Sequence, residues 1–372
     1  MNFADIVLLG GSGCGALYSL WTAFLLKKRR AGASEPAGGE LPPVSFLRPI
    51  KRGVPRLREF VEMLAEAALP GDQVILGVDS DEDFDLCADV RESHPGIVVI
   101  CRCSPGEALN PKVNKLIQMS RETAHDRWIV SDSEVWMTPG FARSFRAQWR
   151  DSGADALTAG YRFINAQTPA QTLDQAALLL TLWPGLAAAE MLGPIRFTLG
   201  ACTGLRGGQL RDAGGWERFA DVLAEDNRLG AVLAGEGKRI LLSKAVVDIE
   251  TDPLTWGEYL RHQHRVGVTY RVSDPAGYFG MVLTHGLFFG AVLVLRGAGE
   301  PWRWAVLLAV YLSRFAAARS NSRSLAFPVK RLALTVLLAA FAETFFWAAS
   351  WLPGRVVWGR RSYRVSFAGA IR

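Results

Sequence analysis

Apolar residues crowd at both ends of the chain, while the middle alternates apolar and polar stretches as a soluble enzyme does. Ile6 to Leu26 is an apolar run of about the length that spans a bilayer. Lys27-Lys28-Arg29-Arg30 follows at once. A signal peptide carries its charge before the apolar core and ends in a small-residue cleavage site, so this run reads as an uncleaved anchor. The positive-inside rule then predicts a cytoplasmic location from residue 27 onward. Ala31 to Pro43, rich in Gly, Ala, Pro and Glu, reads as a linker.

From Val44 to about Arg271 short apolar runs alternate with helical periodicity. Val44 to Leu47, Val74 to Val78, Ile97 to Ile100 and Trp128 to Ser131 are predicted strands, and Leu57 to Ala68 a predicted helix. Strands separated by helices argue for a doubly wound α/β layer. Such sheets bind ligands beyond the carboxyl ends of their strands, which is where this chain clusters its acidic residues. Ala176 to Glu190 is apolar but interrupted by Trp183-Pro184-Gly185, and reads as too short and broken to span a bilayer. It is expected to be a buried core helix or an interfacial one.

The tail carries three apolar stretches, Tyr278 to Leu295, Trp304 to Ala318 and Leu332 to Leu352. The second is short and contains Arg314, which suits a re-entrant or interfacial segment. The basic loop from Arg314 to Arg331 and the tail with Arg355, Arg360, Arg361 and Arg364 both ask for the cytoplasm. One crossing between them cannot satisfy both, so the positive-inside rule leaves this end open. The expected organisation is an anchor at 1–30, a linker at 31–43, a catalytic domain at 44–272, a membrane region at 273–354 and a basic tail at 355–372.

Composition narrows the class of partner. A chain of 372 residues holds one or two domains. The formal net charge of +6 is modest, and its basic excess flanks the apolar segments. That placement suits anionic lipid headgroups. Nucleic-acid binding would need a basic stripe with interleaved aromatics, which the sequence lacks. The cysteines Cys14, Cys87, Cys101, Cys103 and Cys202 are odd in number and scattered, as reduced thiols of a cytoplasmic domain would be.

Five places carry candidate chemistry. Asp79 closes a strand in Val78-Asp79-Ser80-Asp81-Glu82-Asp83, where it reads either as part of a solvated acidic loop or as an acceptor for a base or ribose. Asp132-Ser133-Glu134 closes another strand, and carboxylates at i and i+2 can both face one divalent cation. Asn110-Pro111-Lys112-Val113-Asn114-Lys115 is either an ordinary helix start or a grip on a diphosphate and sugar hydroxyls through its two lysines, Lys112 and Lys115, and two asparagines, Asn110 and Asn114. Glu225-Asp226 heads a helix; the acids either complement its dipole or supply a general base, Asp226. Farther on, His262-Gln263-His264-Arg265 offers cationic groups for a diphosphate or a lipid surface, Arg265 among them.

These stretches together resemble the family-2 glycosyltransferases, and within them the ceramide glucosyltransferase branch. The resemblance rests on Arg48-Pro49-Ile50-Lys51, Asp79, Asn110-Pro111-Lys112-Val113-Asn114, Asp132-Ser133, Thr203-Gly204, Gly214-Gly215, Ala224-Glu225-Asp226 and the closing Trp358-Gly359-Arg360-Arg361-Ser362-Tyr363-Arg364. It implies an α/β fold of the GT-A, Rossmann-like kind with membrane helices at both ends. It also implies a UDP-sugar donor, a divalent cation (Mn2+ or Mg2+) and inversion at the anomeric carbon. By position Asp79 would contact the nucleotide, Asp132 and Glu134 would hold the metal, and Asp226 would be the base. The implied acceptor is a ceramide- or hopanoid-like lipid, in a bacterial inner membrane with the catalytic domain cytoplasmic. Two departures stand out. The family's (Q/R)xxRW signature reads here His262-Gln263-His264-Arg265-Val266, without its aromatic, and the second metal position is the longer Glu134.

The rival readings are a processive polysaccharide synthase and a catalytically inactive lipid-binding scaffold. The first expects more spans and the intact Trp of the signature. The second expects lost carboxylates, yet Asp79, Asp132 and Asp226 are all present.

Overall fold

The computed structural model describes residues 2–31, 38–106, 108–352, 354–358 and 361–372. Residues 32–37 of the expected linker, and Gly359 and Arg360 of the closing motif, lie outside the described residues. The chain folds as two compact units: one of residues 34–165, 193–252 and 369–372, the other of residues 1–33, 166–192 and 253–368.

The first of these is an α/β unit around a seven-stranded sheet. Strand β1 (Ser45–Pro49) leads through helix α2 (Leu57–Ala67) to β2 (Gln73–Val78), and α3 (Asp81–Ser93) leads to β3 (Val98–Arg102). Helix α4 (Pro111–Met119) precedes β4 (Arg127–Ser131). β3, β2, β1 and β4 lie side by side in that order and run parallel. The interiors of β1, β2 and β4 are buried on both faces, which explains their continuous apolar runs, while β3, at the sheet edge, is only half-buried from Val99 to Cys101. The sheet continues with Cys202–Arg206, antiparallel to β4, then Ala156–Thr158 and Ile240–Leu242. These last two are three residues long, too short to show a period in sequence.

Successive connections run outward from β1 to β3, and β4 then returns on the other side of β1. That reversal opens a crevice at the carboxyl ends of β1 and β4. Two buried arginines brace the sheet, Arg48 near this end and Arg146 at the opposite, amino ends of β1 and β2. Arg48 Nε donates to Ser131 Oγ at 3.2 Å and Nη1 to the Phe60 carbonyl at 2.8 Å, tying β1 to β4 and α2. Arg146 grips Asp72 with two bonds, at 2.6 and 3.0 Å, and Asp72 in turn accepts from the Val44 amide.

The second unit is helical. Helix α1 covers Phe3–Ala31. Residues 169–192 form one continuous helix, from Pro169–Ala177 through a π-turn at Leu178–Leu182 to Trp183–Leu192. The expectation of a broken segment is therefore corrected. A proline at 184 would press on the carbonyl of Leu180 in a regular α-helix. The wider π-turn, in which the Trp183 amide reaches the Leu178 carbonyl, relieves that clash. This helix, α1 and Leu332–Ala349 are long and apolar enough to cross a membrane, as is the pair Pro275–Thr284 and Gly286–Leu295 if its 52° bend is one span. Trp304 to Ala318 is likewise longer than expected, part of a 24-residue helix Pro301–Ser324. The hairpin Arg355–Trp358 with Arg361–Arg364 closes the unit.

Candidate active site

The crevice residues come from four strand ends and two helix starts of the α/β unit. Asn110 caps α4, its side chain accepting from the amides of Lys112 and Val113, with Pro111 in the first turn where a missing N–H is harmless. The cap aims Lys112 inward. Lys112 Nζ lies 2.7 Å from Asp132 Oδ1, just past β4, and 3.0 Å from Glu225 Oε1. Glu225 is buried and also accepts from Asn110 Nδ2 at 3.3 Å. Beside it, Asp226 Oδ2 accepts from the Gly200 amide at 2.7 Å and Oδ1 from the Asn227 amide at 2.7 Å.

One point shows how tightly these groups converge. A Cβ added to Gly200 would stand 3.1 Å from Lys112 Nζ, 3.2 Å from Asp226 Oδ2 and 3.3 Å from Asp132 Oδ2. The two carboxylate oxygens can thus be no farther apart than the sum of the last two distances, although 94 positions separate them in the chain. Only glycine leaves that space open. The helix Glu225–Gly235 that delivers Asp226 packs closely enough that Gly230 meets the backbone of Phe197.

Electrostatics separate the carboxylates. Burial raises the Asp132 carboxyl despite Lys112 beside it. Burial and the neighbouring Glu225 raise Asp226. Burial opposes charge on Lys112, but Asp132, Glu225 and Asp226 outweigh it and hold the ammonium protonated. Glu134 behaves oppositely: burial is overcome by Lys51, 2.9 Å from its Oε1, and by the Ser133 hydroxyl, and its carboxyl stays below the usual range.

Asp79 sits at the end of β2 in a separate cationic cradle. Burial is again overcome, here by Lys115 Nζ at 2.9 Å and Arg52 Nε at 3.1 Å, which hold the carboxyl low. Lys115 also reaches the Ile50 carbonyl and so ties the ends of β1 and β2 together. Asn114 is buried, with its side-chain amide donating to the Ser104 carbonyl at 2.8 Å, which anchors the segment after β3. Arg265 belongs to the helical unit, on the helix Trp256–Ser273, where its Nη2 lies 3.3 Å from His262 Nδ1.

Asp132, Lys112 and Asp226 are therefore brought together, Asp79 and Glu134 are each held by lysine, and Arg265 stands in the other unit. Sequence reasoning missed Gly200, which carries no chemical signal, and the partnerships of Lys51, Arg52 and Lys115. Lys115 had a signal: it falls on the same face of α4 as Lys112, three residues on.

Among the described residues no three or more His, Cys, Asp or Glu side chains gather as a metal site of their own. Asp132 and Glu134 do offer the hard carboxylate oxygens that Mg2+ or Mn2+ takes, and phosphate oxygens would have to complete the shell.

Residues 12–371 match a family model described as glycosyl transferase family 21. The chain belongs to that family. This family-21 glycosyltransferase also has relatives among solved structures. The mannosyltransferase PcManGT from Pyrobaculum calidifontis, solved with GDP-Man and Mn2+, matches with a TM-score of 0.54 at 16% identity, over 93% of this chain and 96% of that one. The S. aureus protein TarS, residues 1–349, matches with a TM-score of 0.40 at 12% identity, over 87% and 96% of the two chains. Glucosyl-3-phosphoglycerate synthase from Mycobacterium tuberculosis matches with a TM-score of 0.39 at 16% identity, over 67% and 82%. The first likeness establishes the GT-A fold expected from sequence. The other two add nothing to the argument.

Proposed function

We propose that this family-21 enzyme transfers a sugar from a UDP-sugar to the hydroxyl of a membrane lipid, with inversion at the anomeric carbon. The observation that carries the reading is the convergence of Lys112 Nζ, Asp132 Oδ2 and Asp226 Oδ2 on one point above Gly200, in the crevice where such sheets bind ligands. Inverting transfer needs one base to take the proton of the attacking hydroxyl and positive charge to receive the departing diphosphate.

Asp226 fits the base. Among the described residues its oxygens accept from the backbone amides of Gly200 and Asn227, and its raised proton affinity suits a group that must hold a proton in transit. Asp132 and Glu134 would hold a divalent cation, which when bound neutralises charge on the diphosphate. The Lys112 ammonium adds a second positive charge at the same place. Asp79, poised by Lys115 and Arg52, would accept from the uracil or ribose, and Asn114, on the same helix as Lys112, would be a further donor contact. A nucleotide-diphosphate sugar with Mn2+ is also what the Pyrobaculum mannosyltransferase holds, and the UDP base and lipid acceptor follow the ceramide glucosyltransferase resemblance.

Incubating the purified protein with a panel of UDP-sugars and a membrane lipid extract tests this directly. Mass spectrometry is expected to find a new glycolipid with one sugar. UDP release without a lipid product would sink the acceptor assignment, and no release from any UDP-sugar would sink the donor.

A further inference from the structure

We infer that the chain crosses the bilayer three times, through α1, the bent pair 275–295 and the helix Pro301–Ser324, and that the apolar helices Pro169–Leu192 and Leu332–Ala349 do not cross but lie in the leaflet on the side of the catalytic unit. The partner of their exposed faces is lipid.

A compact unit lies on one face of a membrane. The α/β unit is made of residues 34–165, 193–252 and 369–372, so the chain leaves it and returns to it twice. The return of residues 369–372 is built in: the Leu223 amide donates to the Gly369 carbonyl at 3.1 Å and the Ile371 amide to the Asp221 carbonyl at 2.9 Å. Each excursion must therefore cross an even number of times. Residues 166–192 hold one continuous helix, which passes once or not at all, and parity leaves not at all. Residues 253–368 hold the bent pair and the helices Pro301–Ser324 and Leu332–Ala349, of which two or none cross.

Side-chain partners decide which two. Asp5, at the start of α1, pairs with Arg303 at 3.2 Å and Arg296 at 3.4 Å, so the link between the bent pair and Pro301–Ser324 stands at the Asp5 end of α1. Halfway along, Gly15 packs on Gly286, and Gly286 on Val310. Farther still, Tyr18, Ser19 and Thr22 share a narrow crevice with Arg314, Ala317 and Asn321. Pro301–Ser324 thus runs beside α1 in the same direction over nearly its whole length. Its charges at that depth are paired, Arg303 with Asp5 and Arg314 with Glu343, as intramembrane arginines must be. The bent pair carries the chain out and Pro301–Ser324 brings it back.

Leu332–Ala349 is then left without a crossing, and its packing agrees. Its Ala333 carbonyl accepts from the Tyr311 hydroxyl at 3.1 Å, and its Glu343 takes Arg314. Those two positions are about 15 Å apart along Leu332–Ala349, but their partners are only about 4.5 Å apart along Pro301–Ser324, at 1.5 Å per residue. The helix lies across its neighbour. Glu343 faces inward, and Leu334, Leu337, Leu338, Phe341 and Phe345 form one exposed apolar stripe for lipid to cover. This path also places the basic loop 314–331 and the basic tail on one side, so both obey the positive-inside rule.

Cysteine accessibility in intact bacterial cells tests the path. Single variants Ala298→Cys, Arg323→Cys and Arg372→Cys, all at exposed positions, are treated with a membrane-impermeant maleimide, and labelling is read above that of the unaltered chain. Ala298→Cys is expected to label in intact cells, and Arg323→Cys and Arg372→Cys only after permeabilisation. Labelling of Arg372→Cys together with Ala298→Cys in intact cells would show that Leu332–Ala349 crosses and would overturn the inference. So would a shielded Ala298→Cys. A protease-cleavable tag inserted after Ala298, cut only from outside, repeats the decisive point without a cysteine. The readout needs no sugar transfer, so it fails or succeeds apart from the proposed reaction.

Discussion

Lys112 Nζ stands 2.7 Å from Asp132 Oδ1 and so joins the first turn of α4 to the end of β4 across the crevice. The ammonium also meets Glu225 and lies near Asp226, so one cation balances three carboxylates. Removing it leaves like charges crowded at low dielectric, which is unfavourable until protons neutralise them.

Lys112→Met is therefore expected to lower both thermal stability and kcat/KM, the latter by on the order of 10²-fold, the usual scale for one electrostatic donor in an active site. Adding Asp132→Asn removes one of the repelling acids. Differential scanning fluorimetry in detergent should then find the unfolding midpoint of the double variant recovering toward that of the unaltered enzyme, with activity still lost. A midpoint that falls further would show that Lys112 is not balancing the carboxylates.

The pH profile follows from Asp226. Burial first, and Glu225 second, push its carboxyl up to about 6. Only the carboxylate can accept a proton, so kcat/KM is expected to rise with pH through about 6, level off above it, and fall about tenfold per unit below it. Asp226→Asn removes the acceptor while keeping the size, and should cut turnover by on the order of 10²–10⁴-fold. Steady-state assays across pH 5 to 8, with donor in excess, check both. Full turnover in Asp226→Asn would make the residue a helix-start charge and nothing more.

Gly200→Ala separates shape from charge. The new methyl would press within 3.1 to 3.3 Å of Lys112 Nζ, Asp226 Oδ2 and Asp132 Oδ2, tight enough that each must give way by a few tenths of an ångström. The backbone at Gly200 is not in the left-handed region, so the fold should tolerate alanine. Small displacements of reacting groups have large kinetic effects. The expected result is a drop in kcat/KM of about tenfold or more, with the native fold retained by circular dichroism although overpacking lowers its stability somewhat.

β1, β2, β4 and α2 were legible because parallel strands buried on both faces read as apolar runs, β3 by its β-branched Ile97-Val98-Val99-Ile100, and the strand ends pointed to Asp79 and Asp132. Ala156–Thr158 and Ile240–Leu242 were not, being too short to show alternation. Pro184 misled in the ordinary way, since only a π-turn accommodates it and no local residue announces one. In the site, each acid was legible by its neighbours in sequence. Its partner was not, because Lys112 meets Glu225 and Gly200 meets Asp226 only through the order of strands in the sheet. The helical unit suffered most, for the length of the helix Pro301–Ser324 is hidden by arginines whose charges are met by Asp5 and Glu343 far along the chain.

The segment 220–225 that presents Glu225 and Asp226 has little regular structure of its own and is clamped from two sides. On one side Asn110 donates its backbone amide to the Ala220 carbonyl at 2.9 Å and its side chain to the Val222 carbonyl at 2.9 Å. On the other, residues 369–372 pair with Asp221 and Leu223, and Ile371 is buried at 1% exposure. Ile371→Ala opens a cavity under this clamp, which typically costs about 2–5 kcal/mol where a buried isoleucine is cut back. If the tail's role is to position the base, the loss should appear locally: faster amide exchange at 220–225, a lower kcat, and donor affinity unchanged, since Asp79 is held by Lys115 and Arg52 instead. Hydrogen exchange by mass spectrometry beside a donor titration reads all three. Uniformly faster exchange across the α/β unit would mean that Ile371 merely adds to the common core, and that Asp226 is positioned without it.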